Sequence, residues 1–131
     1  MVVDASALLE ALLLTRAGLA IGDRLFEGSQ SLHAPELIDL EVAQVIRRYE
    51  RDGTLDRERS EQALSDLADV RLERYPHRTL LPRIWELRHN LTAYDAAYVA
   101  LAEAIDAPLL TCDERLASAP HHATIEVIRG D

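Results

Sequence analysis

Residues 92–116 read TAYDAAYVALAEAIDAPLLTCDERL, and the architecture turns on them. From Tyr94 to Ile105 apolar residues recur at helical spacing, which predicts a helix. Thr92-x-x-Asp95 has the form of a capping box, with the acid near the positive end of the helix dipole. Asp95 and Tyr98 share one face of that helix, and Val99 and Ala102 carry the face toward the core. Leu109-Leu110-Thr111 then reads as a short strand, and Asp113 follows it ahead of Glu114-Arg115-Leu116. A helix feeding a short strand that ends on an acid is a unit of an α/β design.

The rest of the chain repeats this unit. Val2-Val3 is a β-branched run, followed by Asp4 and a helix-like ASALLEALLL. Leu19 to Phe26 shows helical spacing that ends at Gly28. Ser31-Leu32-His33-Ala34 is a second strand, closed by Pro35, which fits the first turn of the next helix. That helix, ELIDLEVAQVIRRYERDG, stops at Gly53, and Asp56 opens another through Leu64, Leu67 and Val70. Arg71 to Tyr75 alternates as a third strand, Leu80 to Leu87 reads as a helix, and Ile125 to Ile128 is the last strand. Short strands separated by helices predict an α/β domain with a parallel sheet, spanning 1–131 without an internal repeat or linker. In such sheets ligands bind beyond the carboxyl ends of the strands, so the acids placed there matter most.

Composition narrows the chemistry. Of 131 residues, 14 are basic and 23 acidic, a net charge of −9, and every basic residue is arginine. Without lysine there is no P-loop and no Schiff-base catalysis. An acidic balance argues against a non-specific nucleic-acid coat. It is compatible with a nucleic-acid substrate if the acids are gathered around metal. The single cysteine, Cys112, permits no intramolecular disulfide. MVVDASALLEALLLTRAG lacks a basic leader and is interrupted by Glu10, so neither a signal peptide nor a membrane span is expected, and the cytoplasm is the expected location.

Four acids stand at element boundaries or on a helix flank. Asp4 fits an N-cap as well as a site, with Ser6 two residues on to orient it. Glu41 falls on the edge of the apolar arc of Ile38, Val42, Val45, Ile46 and Tyr49, so it needs a partner, for which Arg48 or another arginine is expected. Glu36 and Asp39 point elsewhere and are expected to be solvated. Asp95 fits a capping role, and Asp113 fits the N-cap of a short helix, with Thr111 beside it. If the sheet gathers these carboxylates, they repel and some take up protons unless a cation neutralises them. Oxygen ligands without His or Cys favour Mg²⁺ or Mn²⁺ over Zn²⁺.

VVDAS, PELIDLEVAQVIRR from Pro35 to Arg48, TAYDAAYVALAEA and LLTCDERL together resemble the PIN-domain ribonucleases, specifically the VapC toxins of bacterial type II toxin–antitoxin modules. The resemblance spans nearly the whole chain. It implies a single-domain three-layer α/β/α sandwich with a mainly parallel central sheet, usually dimeric and inhibited by a cognate VapB-like antitoxin. It implies that Asp4, Glu41, Asp95 and Asp113 bind Mg²⁺ or Mn²⁺ for RNA hydrolysis, with Ser6 and Thr111 in support. Gln44 departs from the family, where many members have Asn three residues after the glutamate.

RNA must also be held, and Arg47, Arg48 and Arg51, with Arg88 and His89, are the candidate phosphate contacts; ordinary surface ion pairs are the competing role. Trp85 is expected in the core or an interface, Cys112 as a packed side chain, and His121-His122 as an exposed pair. A receiver-like signalling domain lacks its phosphate-pairing lysine here, and VVDAS offers Asp-x-Ser where a haloacid-dehalogenase-like phosphatase has Asp-x-Asp. The non-enzymatic rival is a PIN-like RNA- or protein-binding module.

Overall fold

Val2 and Val3 are both wholly buried, although successive strand residues face opposite sides of a sheet. Both faces of the sheet at this point are therefore covered, as a parallel α/β design requires. In the computed structural model, which describes residues 1–25 and 30–129, the elements run in chain order. They are β1 (Val2–Val3), α1 (Ala5–Leu12), α2 (Arg16–Leu25), β2 (His33–Pro35), α3 (Ile38–Arg51), α4 (Arg57–Asp69) and β3 (Glu73–Tyr75). A 3₁₀ turn (Arg78–Leu80) leads into α5 (Leu81–Glu86), then α6 (Ala93–Ile105), β4 (Leu109–Thr111), α7 (Arg115–Ser118) and β5 (Ile125–Val127).

The strands form one parallel sheet in the order β3-β2-β1-β4-β5. From β1 to β3 the chain steps in one direction across the sheet, and from β3 to β4 it returns past β1. Right-handed crossovers then place α1 to α4 on one face and α5 and α6 on the other. The packing agrees, since α1 meets α2, α3 and α4, while α6 meets α5 and the strands β1, β2 and β4. This is the expected three-layer α/β/α sandwich. The reversal of direction falls between β1 and β4, which makes their carboxyl ends the topological switch point.

α6 is the helix that holds the site against the core. Every residue from Ala96 to Ala102 is buried, and the run of small side chains lets the helix lie close to the sheet. Facing layers contribute Leu8, Ile21, Ile38, Val42 and Ile46, all nearly inaccessible.

Some expected boundaries move. Pro35 is the last residue of β2, and the helix that was expected to start on it begins at Ile38. The His33 N–H donates to Met1 O and the Glu36 N–H to Tyr75 O, so the nitrogen of Pro35 falls on the β1 side. There the ladder has the single register pair Val2↔His33, and a missing donor costs nothing. The second strand accordingly lies at 33–35 and not 31–34, and the third begins at Glu73. Asp39 is not simply solvated; both its oxygens accept from Arg74, at 2.7 and 2.9 Å, which fastens α3 to β3. The expected helix end at Gly28, with Phe26, lies outside the described residues.

Candidate functional site

Asp4 directly follows β1 and fills both roles its sequence position allowed. Its Oδ1 accepts the Ala7 N–H at 3.0 Å, capping α1, and the Ser6 hydroxyl at 2.7 Å. Its Oδ2 accepts the Thr111 hydroxyl, which β4 presents from the neighbouring strand end. Thr111 is wholly buried and its Oγ1 in turn accepts the Asp113 N–H at 2.9 Å. The Ser6 Oγ accepts the Cys112 N–H at 3.1 Å, so β1 and β4 are laced together by hydroxyls immediately below the acids. Burial pushes the Asp4 carboxyl up, against the pull of Thr111, Ala7 and Ser6.

Glu41 projects from α3, and its partner is not an arginine. The Tyr98 hydroxyl donates to Glu41 Oε1 at 2.6 Å, joining α3 to α6. A guanidinium was expected because Glu41 and Arg48 share a helix flank. The tertiary fold instead brings a buried tyrosine from across the sheet. Burial raises the Glu41 carboxyl, Tyr98 opposes the rise, and the charges of Asp95 and Asp4 add to it. The Tyr98 hydroxyl is itself held far above its ordinary range by burial and by Glu41.

Asp95 lies in the first turn of α6. Thr92 caps the helix by accepting the Asp95 N–H at 3.1 Å, and its hydroxyl also acts on the Asp95 carboxylate. Its pKa is raised by burial first and by the charge of Asp113 next, while Arg115 opposes the shift. Asp113 does not cap α7, whose N-cap is Glu114 without a side-chain bond. Its carboxylate accepts the Arg115 backbone N–H and guanidinium instead, and this contact holds its pKa below the ordinary range.

The four carboxylates thus act on one another. Asp95 repels Asp4 and Glu41, Asp4 repels Glu41, and Asp113 repels Asp95. Among the described residues, no three Asp, Glu, His or Cys side chains converge tightly enough to form a ready-made cation cage. The donor chemistry nevertheless suits a hard divalent ion: the ligands are all oxygen, and burial raises three of the four carboxyls. Sequence reasoning did not assign Tyr98 and Arg115 to the site. Tyr98 left a signal in sharing a helix face with Asp95, whereas nothing in the sequence shows which acid an exposed arginine will grip.

A groove opens beside the acids, lined by Ser6, Glu41, Gln44, Arg47, Arg48 and Tyr94. Arg47 and Arg48 also line a second hollow with Arg51 and Asp52, and the three arginines engage no carboxylate in an ion pair among the described residues. Arg88 is exposed and stacks over the Trp85 ring at 4.4 Å while donating to Trp85 O. Trp85 is 67% exposed, so it is not a core residue. Burial and the Asp4 charge push the Cys112 thiol up to about 11, which removes it as a nucleophile. His122 is exposed as expected, but His121 is half-buried and its ring bonds Leu116 O at 2.6 Å.

The PIN domain family matches residues 1–121. Ribonuclease VapC1 of Mycobacterium tuberculosis is 45% identical over 120 residues, covering 91% of this chain and 90% of that protein. Ribonuclease VapC12 of the same species is 38% identical over 128 residues, covering 97% and 98%. A solved structure from Pyrobaculum aerophilum superposes with a TM-score of 0.68 at 26% identity, over 95% of this chain and 87% of that one. VapBC2 from Rickettsia felis, bound to a DNA fragment from its promoter, shares the fold at a TM-score of 0.71 and 15% identity, over 97% of each chain. Matched to the family model over most of its length and to these relatives over nearly all of it, the chain belongs to the PIN-domain family, among the VapC ribonucleases.

Proposed function

We propose that this chain is a divalent-metal-dependent endoribonuclease, the toxin of a type II toxin–antitoxin module that inhibits translation and growth by hydrolysing RNA. The observation that carries this reading is the gathering of four mutually repelling carboxylates at the switch point of the sheet, in a chain 45% identical to a VapC ribonuclease. In this reading Asp4 and Asp95 are the primary ligands of Mg²⁺ or Mn²⁺, and Glu41 and Asp113 bind directly or through water. A bound ion supplies polarisation of a phosphoryl oxygen and a more acidic water. Ser6 and Thr111 orient Asp4, Tyr98 orients Glu41, and the groove arginines Arg47 and Arg48 hold the RNA backbone. Arg88 on its Trp85 platform is a further phosphate contact. The partnership named in the Rickettsia felis assembly is extended to a VapB-like antitoxin here, with a homodimer as the working form.

Purified protein, free of antitoxin, is incubated with total cellular RNA in Mg²⁺, Mn²⁺ or EDTA, and the cut ends are mapped. Cleavage that EDTA abolishes is the expected result. Asp4→Asn and Asp95→Asn should each abolish it while thermal unfolding stays cooperative; full activity in both variants would sink the assignment. Absence of cleavage of any RNA, with only weak ion binding, would instead favour a PIN-like binding module.

A further inference from the structure

Arg115 stands two residues beyond Asp113 with its side chain 78% exposed, yet it is not a free surface charge. Its Nε lies 3.0 Å from Asp113 Oδ1 and 3.1 Å from Oδ2, and its Nη2 lies 2.5 Å from Oδ2. The Arg115 backbone N–H also donates to Oδ1 at 3.0 Å. The same Nη2 is 3.9 Å from Asp95 Oδ2. One guanidinium is therefore shared by two of the four site acids. Among the described residues it is the sole cation within ion-pair reach of any of them.

The other contacts within the site have a different character. Asp4 and Glu41 are held by neutral hydroxyls from Ser6, Thr111 and Tyr98, which can stay in place when a cation arrives. Arg115 cannot. Whether held directly or through water, a divalent ion would need the Asp113 oxygens on which guanidinium N–H groups now point, and the positive charge there would repel it. Displacing the guanidinium is cheap, because it is exposed and its second carboxylate contact is with the same cluster.

We infer that Arg115 is an exchangeable internal counter-ion, which competes with the divalent ion for Asp113 and so sets the ion concentration at which the centre fills. The inference rests on the acids being the ion site, as proposed above. Mn²⁺ binding to the full chain, measured by calorimetry or by the paramagnetic resonance of free Mn²⁺, tests it. Arg115→Gln is expected to bind Mn²⁺ roughly twofold to fivefold more tightly than the wild type at low salt. The gain should shrink at high salt. Arg115→Lys, which keeps the charge, should stay near the wild type. Unchanged or weaker binding by Arg115→Gln overturns the inference. If the wild type binds and Asp95→Asn weakens binding, that failure leaves the metal centre standing. If neither the wild type nor Arg115→Gln binds Mn²⁺, the metal centre falls and the counter-ion role with it.

Discussion

Asp95 shows at a single residue what crowding carboxylates together costs the fold. Its carboxyl is raised by burial and by Asp113, so the folded protein holds its proton more tightly than the unfolded chain does. By linkage the sign is fixed: stability falls as pH rises from the ordinary carboxylate range through the raised folded pKa, and the full cost is present at neutral pH. Asp95→Asn removes the charge and keeps the shape. Calorimetry at pH 7 without divalent ion should show a melting temperature raised by a few degrees. Well below the raised pKa Asp95 is itself neutral, so the gain should vanish there. A lower melting temperature at pH 7 would mean that the carboxylate is a net stabiliser. Which residues could form the site was legible from strand ends and caps. The partners that set their protonation were not: periodicity puts Tyr98 on the face of Asp95 but does not pair it with Glu41, and which acid Arg115 grips depends on side-chain reach.

Between elements, α1 and α2 illustrate how one helix can contain two glycines of opposite value. A Cβ at Gly18 would lie 2.0 Å from Glu10 O and 2.6 Å from Glu10 C, both backbone atoms that cannot yield. Gly18 therefore lets α2 pack against the end of α1, where the Thr15 hydroxyl also accepts the Gly18 N–H at 2.9 Å. At Gly22 a Cβ meets nothing within 4 Å. Gly18→Ala should destabilise by about 1–3 kcal/mol through forced separation of the helices. Gly22→Ala should stabilise by about 0.5–1 kcal/mol through helix propensity alone. Denaturant unfolding of the two variants distinguishes them, and equal effects would contradict this packing. Helix periodicity announced both helices but ranked neither glycine, since close approach is a property of the pair.

Across the protein as a whole, a charge of −9 must be reconciled with a polyanionic substrate. The arrangement of the arginines does this. Arg24, Arg57, Arg74, Arg83, Arg115 and Arg129 pair with carboxylates, whereas Arg47 and Arg48 line the groove, and with Arg51 a second hollow, without ion pairs among the described residues. A local basic track beside an acidic centre can attract RNA that the net charge would repel. Replacing Arg47 and Arg48 together by Ala should weaken RNA binding across sequences alike. It should also flatten the salt dependence by about 0.7 per lost phosphate contact. Anisotropy titrations over a salt series measure both, and an unchanged slope would remove these residues from the RNA track.

Local rules along the chain were enough for the α/β class and the parallel sheet, and they marked four acids as candidates: strand and helix periodicity, caps, and the places where strands hand over to helices. Pro35 marks the limit of such rules. A helix-start residue by propensity, it ends β2 because the ladder beside it has already run out. Packing in three dimensions settled the rest. Glu41 meets a tyrosine, Arg47 and Arg48 form no ion pair among the described residues, and Arg115 spans Asp113 and Asp95. Those outcomes depend on which side chains the crossover back past β1 brings together, and electrostatics at short range acts on distance in space, not on separation along the chain.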